Sequence, residues 1–201
     1  MTRRIAVLAS GRGSNFQAVI DAIRENRVPA TCIRLFTDNP EAYAITRARE
    51  AGIPVTIVYF AAFPDREGYE RALLSAMDEC GADLFVLAGY MRIVGKEIVN
   101  AFAGRMMNIH PALLPSFPGL HGQRQALLHG VKVAGCTVHF VDDTLDGGPI
   151  IVQRCVPVLE GDDEETLAAR ILEQEHKALP EAIRLFCEGR LETAGRRVKI
   201  H

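Results

Sequence analysis

Hydrophobic positions along the chain fall into short unbroken runs that alternate with stretches of helical spacing. Ile5-Ala-Val-Leu-Ala9 is a continuous apolar run, as expected of a strand buried on both faces of a parallel sheet. It ends in Ser10-Gly11-Arg12-Gly13-Ser14-Asn15, after which Phe16, Val19, Ile20 and Ile23 recur at helical spacing. Residues 31–36 predict a second strand, and Asp38-Asn39-Pro40 the opening of a helix that runs to about Ala51. Gly52-Ile53-Pro54 then turns the chain into a third strand over 55–59. Residues 65–79 predict a helix from Tyr69, Leu73, Leu74 and Met77, and 84–88 are the fourth buried run.

The second half changes character. Met106 and Met107 lead into Asn108-Ile109-His110-Pro111, a strand end stopped by proline, and Pro111, Pro115 and Pro118 stiffen the loop that follows to Gly119. A short helix is predicted at 121–130, a long strand at 132–141 and another at 150–158. The short glycine-proline turn between these two makes them antiparallel neighbours. Gly161-Asp162-Asp163-Glu164-Glu165 places acids at the positive end of a last helix, carrying Leu167, Ile171, Leu172, Glu175 and His176 as far as Pro180. A second helical segment reaches Gly189, and a basic tail (Arg196, Arg197, Lys199) is expected to fray.

Strand-helix alternation makes the fold class α/β, a doubly wound and mostly parallel sheet with an antiparallel strand in the C-terminal half. The 201 residues suit a single domain. Its expected parts are a phosphate-binding half at 1–100, a catalytic half at 101–190 and a tail at 191–201. Ligands in such sheets bind outside the carboxyl ends of the strands. The loops at 11–15, 89–94 and 108–119 all follow strands and are expected to share that edge.

A net charge of -2 and a pI near 6.3 argue against a nucleic-acid binder. The five cysteines (Cys32, Cys80, Cys136, Cys155, Cys187) are far apart and form no CxxC pair, so neither a zinc site nor a disulfide framework is expected. Reduced thiols in a cytoplasm are the plain reading. The apolar run after Thr2-Arg3-Arg4 is too short for a signal peptide or a membrane span.

Candidate chemistry gathers at two stretches. Asn108 and His110 are spaced i and i+2, so in a strand they point to one face, and an amide beside an imidazole is a donor pair able to hold an oxyanion. Asp142-Asp143-Thr144-Leu145-Asp146-Gly147-Gly148-Pro149 offers carboxylates on a turn, and a carboxylate orients and charges an imidazole. One of the three acids is expected to face the site while the others stay wet. Gly11-Arg12-Gly13-Ser14-Asn15 admits two readings. It is a phosphate cradle at a helix N-terminus, or a tight turn capped by Ser14. Arg66, a cation in a helix's first turn, opposes the helix dipole and suggests a bound anion or a solvated surface position. Tyr90, Met91, Ile93 and Val94 either cap the core or wall a flat apolar pocket. Among the remaining histidines, His139 lies mid-strand and is expected as a satisfied core residue, His176 as a packing or capping residue, and His129 and His201 as structural or solvated. His121 borders the proline-rich loop, within reach of a ligand there.

The chain resembles the glycinamide ribonucleotide formyltransferases, folate-dependent enzymes of purine synthesis. The residues that carry the resemblance are SGRGSN at 10–15, LAGYMRIV at 87–94, MNIHPALLPSFPG at 107–119 and HFVDDTLDGGPI at 139–150. It spans roughly residues 4 to 190 and implies a Rossmann-like formyltransferase fold. It further implies Asn108, His110 and Asp146 as the catalytic triplet. Gly13, Ser14, Asn15 and Arg66 are implied for the ribonucleotide phosphate, and Glu175 for its glycinamide end. Met91, Arg92, Ile93 and Val94, with Val141 and Asp143 of the loop reaching Asp146, are implied for the folate. Leu172 stands where the family often has Gln, and His121-Gly-Gln-Arg departs from the pattern often seen there.

The implied reaction is transfer of a formyl group from 10-formyltetrahydrofolate to an amine, by direct attack and through a tetrahedral intermediate. The folate is then a cosubstrate, and no tightly bound cofactor or metal is expected. The expected partners are small-molecule substrates, with no nucleic acid and no membrane, and the chain is a monomer or homodimer. Two alternatives remain: hydrolysis, with water as acceptor, and a nucleotide-binding module using Gly11–Asn15 with Asp38 on a ribose.

Overall fold

The computed structural model of the protein describes residues 2–201. The chain divides into two compact units, Met1–Met107 and Asn108–His201.

In the first unit, β1 (Arg3–Leu8), β2 (Ala30–Thr37), β3 (Val55–Ile57) and β4 (Leu84–Leu87) lie in the order β3-β2-β1-β4, every pair parallel. Helices α1 (Ser14–Arg24), α2 (Ala44–Glu50), α3 (Arg66–Cys80) and α4 (Lys96–Ala101) connect or follow them. β1 is the central strand: Ile5, Ala6, Val7 and Leu8 are all fully buried, which is why that run has no polar alternation. The strand order reverses between β2 and β4 on either side of β1, and that reversal is where a doubly wound sheet opens a crevice for ligands. The Ser10–Asn15 and Gly89–Val94 stretches leave β1 and β4 there. Ser10 N donates to Gly89 O (3.1 Å) and Met91 N to Ser10 Oγ (2.9 Å), so the two loops are stitched together.

The expected helix from Asp38 to Ala51 begins later, at Ala44. Asn39 is the reason. Its Oδ1 accepts from Glu41 N (3.0 Å) and its Nδ2 donates to Ser10 O (3.1 Å), a local turn that competes with helix. Asp65 caps α3 by accepting from Gly68 N at 2.7 Å. Phe85 stacks against Phe36 and Phe102, with centroids at 6.4 and 4.5 Å.

β5 (Met106–His110) runs across the division of the chain and delivers Asn108 and His110 to the second unit. That unit contains α5 (Gly122–Leu128), β6 (Val133–Phe140), β7 (Ile150–Pro157), α6 (Glu164–Cys187), β8 (Leu191–Ala194) and β9 (Arg197–Ile200). β6 and β7 are antiparallel, as their short connection required. β9 is parallel to β7 and antiparallel to β8. The whole is therefore an α/β, mostly parallel mixed sheet whose antiparallel strands lie in the C-terminal half. No helix among the described residues is long and apolar enough to cross a membrane.

Two expectations about the C-terminus are corrected. Pro180 does not end the last helix: α6 runs through it without a break. The ring removes one backbone donor and costs about 3 kcal/mol in a helix interior, whereas burying Leu179, Ile183 and Leu185 returns about 1.5–3 kcal/mol each. The helix starts from a reciprocal cap, Asp163 Oδ1 accepting from Thr166 N (2.8 Å) and Thr166 Oγ1 from Asp163 N (2.9 Å). The basic tail at 191–201 does not fray but folds into the β8–β9 hairpin. Its two-residue loop places Gly195 at φ 59°, the glycine that such a tight hairpin turn calls for.

Candidate functional site

Strand alternation sends Asn108 and His110 to the same side of β5, and a loop brings Asp146 to both. Asn108 Nδ2 lies 3.5 Å from Asp146 Oδ1, and His110 Nδ1 lies 3.5 Å from Asp146 Oδ2. The three residues that sequence alone paired across the chain thus meet on one carboxylate. Of the acids on the loop, Asp146 is the one that turns inward, its side chain 11% exposed. Asp143 is exposed, and Asp142 accepts from Thr144 N. Asp146 adopts φ 50°, an uncommon conformation for a non-glycine residue, and its Oδ2 accepts from Gly119 N at 2.7 Å. Gly148, two residues on, is obligatory on space: a Cβ there would stand 1.9 Å from the carbonyl oxygen of Phe140.

His110 is buried and its two ring nitrogens both face acceptors. Nε2 meets Phe117 O at 2.8 Å, and Nδ1 faces Asp146. A carbonyl oxygen only accepts, so Nε2 is the donor to Phe117 O, and Nδ1 is the nitrogen turned to the carboxylate. The proline-rich loop that supplies Phe117 O is fixed by Thr137. The Thr137 hydroxyl donates to Ala112 O (2.7 Å) and accepts from Leu114 N (3.0 Å) and Gln153 Nε2 (3.0 Å). The loop contains a cis Leu114–Pro115 bond. Gln125 Nε2 of α5 ties its far end by donating to Pro118 O and Leu120 O.

His139, expected as a satisfied core residue, is one and also reaches Asn108. It is buried, and Nδ1 donates to Phe140 O (2.8 Å), as expected of a satisfied core histidine. That bond leaves Nε2 as an acceptor, and Nε2 lies 3.3 Å from Asn108 Nδ2. Burial holds its pKa below the ordinary histidine value, so the ring is neutral and the tautomer is fixed by its surroundings. The β6–β7 register shifts between Val138 and His139, and such irregularities re-aim a side chain beside a site. No spacing rule announces this, because the shift arises from the pairing of two strands.

Glu175 is buried on α6, which packs on β6 and β7. Its charge, after burial, helps push the Cys136 thiol up to about 12. Val141 opens the loop that carries Asp143 and Asp146. Leu145 of the same loop is exposed.

In the first unit, Gly13 rather than Ser14 caps α1. It sits at φ 68°, and no side chain caps the helix. The amides of the first helical turn are then served by no cap side chain, an arrangement open to an anion. A Cβ on Gly13 would meet Ala44 Cβ at 2.8 Å. Arg47, with no sequence signal of its own, holds this loop by donating to Arg12 O (2.8 Å) and Gln17 Oε1 (3.0 Å). Asn15 is buried, inside the first turn.

Arg66 is half exposed. It pairs with Glu70 (2.6 Å) and donates to Ile93 O (3.2 Å), which joins it to the 89–94 loop. Within that loop Met91 and Ile93 are largely exposed, so they do not cap the core. Tyr90 is hydrogen-bonded to Tyr69, and the Arg92 side chain is committed to Asp38 (2.8 Å) and to the face of Phe60. The same pairing removes Asp38 from consideration as a ribose ligand, since it is buried with Oδ2 on Arg92.

The formyl transferase family model matches residues 3–183. The phosphoribosylglycinamide formyltransferase of Escherichia coli K12 is 47% identical over 188 residues, covering 94% of this chain and 89% of that protein. The crystal structure of glycinamide ribonucleotide transformylase 1 from Symbiobacterium toebii superposes with a TM-score of 0.96 at 54% identity, covering 99% of this chain and 94% of the other. A formyltetrahydrofolate deformylase from Pseudomonas syringae superposes with a TM-score of 0.93 at 26% identity, over all of this chain but 66% of that one. The chain belongs to the formyl transferase family.

Proposed function

We propose that the protein transfers the formyl group of 10-formyltetrahydrofolate to the amine of 5'-phosphoribosylglycinamide, a step of purine (IMP) biosynthesis. The observation that carries the chemistry is the convergence of Asn108 and His110 on the two oxygens of Asp146. The choice of acceptor is supported by the names of the relatives that match nearly the whole chain.

In this reading the neutral amine attacks the formyl carbon, a new C–N bond forms and a tetrahedral intermediate results. Its oxyanion is held by an N–H of Asn108 and by the charge of protonated His110. His139 fixes which way the Asn108 amide points. It takes one hydrogen of Nδ2, and the other, only loosely engaged with Asp146, is the one offered to the oxyanion. Asp146 stabilises the imidazolium and positions a water that carries the proton from the attacking amine to N10 of the folate as the C–N10 bond breaks. Gly13, Ser14, Asn15 and Arg66 are assigned to the substrate phosphate and Glu175 to its glycinamide end. Met91, Arg92, Ile93, Val94, Val141 and Asp143 are assigned to the folate, Arg92 through its backbone because its side chain is already paired.

The folate is a cosubstrate consumed each turnover, with no tightly bound cofactor. The free cysteines fit a reducing cytoplasm as the site of action. One competing reading has water as the acceptor, and it is kept because the deformylase structure shares the fold over the entire chain. Absorbance-monitored deformylation of a 10-formyl folate, with and without the ribonucleotide, separates the two. Turnover only with the ribonucleotide supports transfer, equal turnover without it supports hydrolysis, and no turnover in either case sinks both.

A further inference from the structure

We propose that the C-terminal β8–β9 hairpin is a brace for Asp146, with Arg196 as the positioning residue. The proposal rests on the reading of Asp146 as a group of the reaction. Arg196, in the hairpin's two-residue loop, donates from Nη2 to the carbonyl oxygen of Gly147 at 3.1 Å. Gly147 is the neighbour of Asp146, so the guanidinium holds the Gly147–Gly148 peptide, one residue beyond the catalytic carboxylate. The grip is held in place by strand pairing: Arg197 is in register with Ile150, the first residue after the Asp142–Pro149 turn. One segment is therefore tied both to the turn and to the strand that leaves it. The hairpin lies C-terminal to residues 3–183, the span matched by the family model.

Asp146 needs such support. A non-glycine residue at positive φ persists only where its surroundings over-determine it. The turn's own bonds include Gly147 N to Thr144 O (3.2 Å) and two from Thr144 to Asp142 Oδ1, from its N (2.9 Å) and its Oγ1 (2.5 Å), all made by the exposed Thr144. From outside the turn, Gly119 N reaches the Asp146 carboxylate itself. Arg196 reaches the carbonyl of the next residue, Gly147, so one contact holds the Asp146 side chain and the other the chain that leaves it. Because Arg196 is exposed, its bond competes with water. Its loss is expected to loosen the aspartate rather than unfold the loop.

The test uses the full chain with Arg196→Ala, Arg196→Lys and Asp146→Asn, singly and as the R196A/D146N double variant. Arg196→Ala is expected to lower kcat about threefold to tenfold with both KM values unchanged, the loss of one charge-assisted contact. Arg196→Lys, which still offers a donor, recovers most of it. In the Asp146→Asn background the same change is expected to have no further effect, because Arg196 acts through Asp146. Hydrogen exchange at the Gly119 amide, which reports the Asp146 carboxylate without any chemistry, is expected to speed up in Arg196→Ala. An equal fall in kcat in both backgrounds, or unchanged Gly119 exchange, overturns the brace. A wild-type protein that transfers no formyl group refutes the reaction instead, and Gly119 exchange still decides whether the hairpin holds Asp146.

Discussion

Asn108 Nδ2 lies 3.3 Å from His139 Nε2, and the donation of His139 Nδ1 to Phe140 O leaves that nitrogen no role but acceptor. The amide of Asn108 is therefore turned by a histidine that is itself locked. Without it, the amide oxygen and nitrogen can exchange places, which in the proposed reaction would present an acceptor to the developing oxyanion. We predict that His139→Ala lowers kcat about tenfold to hundredfold, in the range seen when a supporting contact is lost. Both KM values should stay within about twofold, since binding groups are untouched. Steady-state kinetics check this, and a KM effect alone would place His139 in substrate binding.

The buried neutral state of His139 also has a consequence for stability. Its folded pKa lies below the ordinary 6.5, so the unfolded chain binds the proton more readily. The contribution is complete above pH 6.5 and diminishes as the pH falls from there toward the lowered folded value. Thermal melts from pH 7.5 to 5 are expected to show an acid-side loss of Tm that is shallower in His139→Gln. Parallel curves for the two proteins would contradict it.

The strands of the first unit and the shared face of Asn108 and His110 were legible because they rest on local patterns, whereas the inward turn of Asp146 rather than Asp142 or Asp143 was not. Apolar runs such as Ile5–Ala9 mark buried strands, and the i, i+2 spacing of Asn108 and His110 survives in any strand. What escaped depends on pairing across the fold. His139 lies beside Asn108 next to a register shift with β7, and Arg47 holds the first loop through the approach of α2. Pro180 misled because a local helix penalty is outweighed by long-range burial, and the tail misled because its charges concealed a two-residue hairpin turn. Arg92 matched its motif, but its side chain is spent on Asp38.

Gly13→Ala tests the first loop. The φ of 68° and the 2.8 Å approach to Ala44 Cβ both oppose a side chain. We predict a destabilisation of about 1–3 kcal/mol, the cost of a strained backbone position. Denaturant unfolding measures it. An unchanged midpoint would mean that the loop relaxes freely.

Arg66→Ala separates binding from stability. The ion pair with Glu70 is exposed and contributes little, so Tm should barely move. If Arg66 receives the substrate phosphate, KM for the ribonucleotide rises about tenfold or more, and the salt dependence of that KM weakens. An unchanged KM would reduce Arg66 to a surface residue that steadies the 89–94 loop.

If formyl transfer occurs at the Asn108–His110–Asp146 cluster, Asn108 supplies a donor to the oxyanion. The most direct measurement is kcat and both KM values for Asn108→Ala beside wild type. Formyl transfer would be followed by mass spectrometry of the formylated ribonucleotide. Loss of an oxyanion donor predicts a fall in kcat of about a hundredfold to a thousandfold, with both KM values nearly unchanged. A large rise in KM with kcat intact would contradict the account and move the chemistry away from these residues.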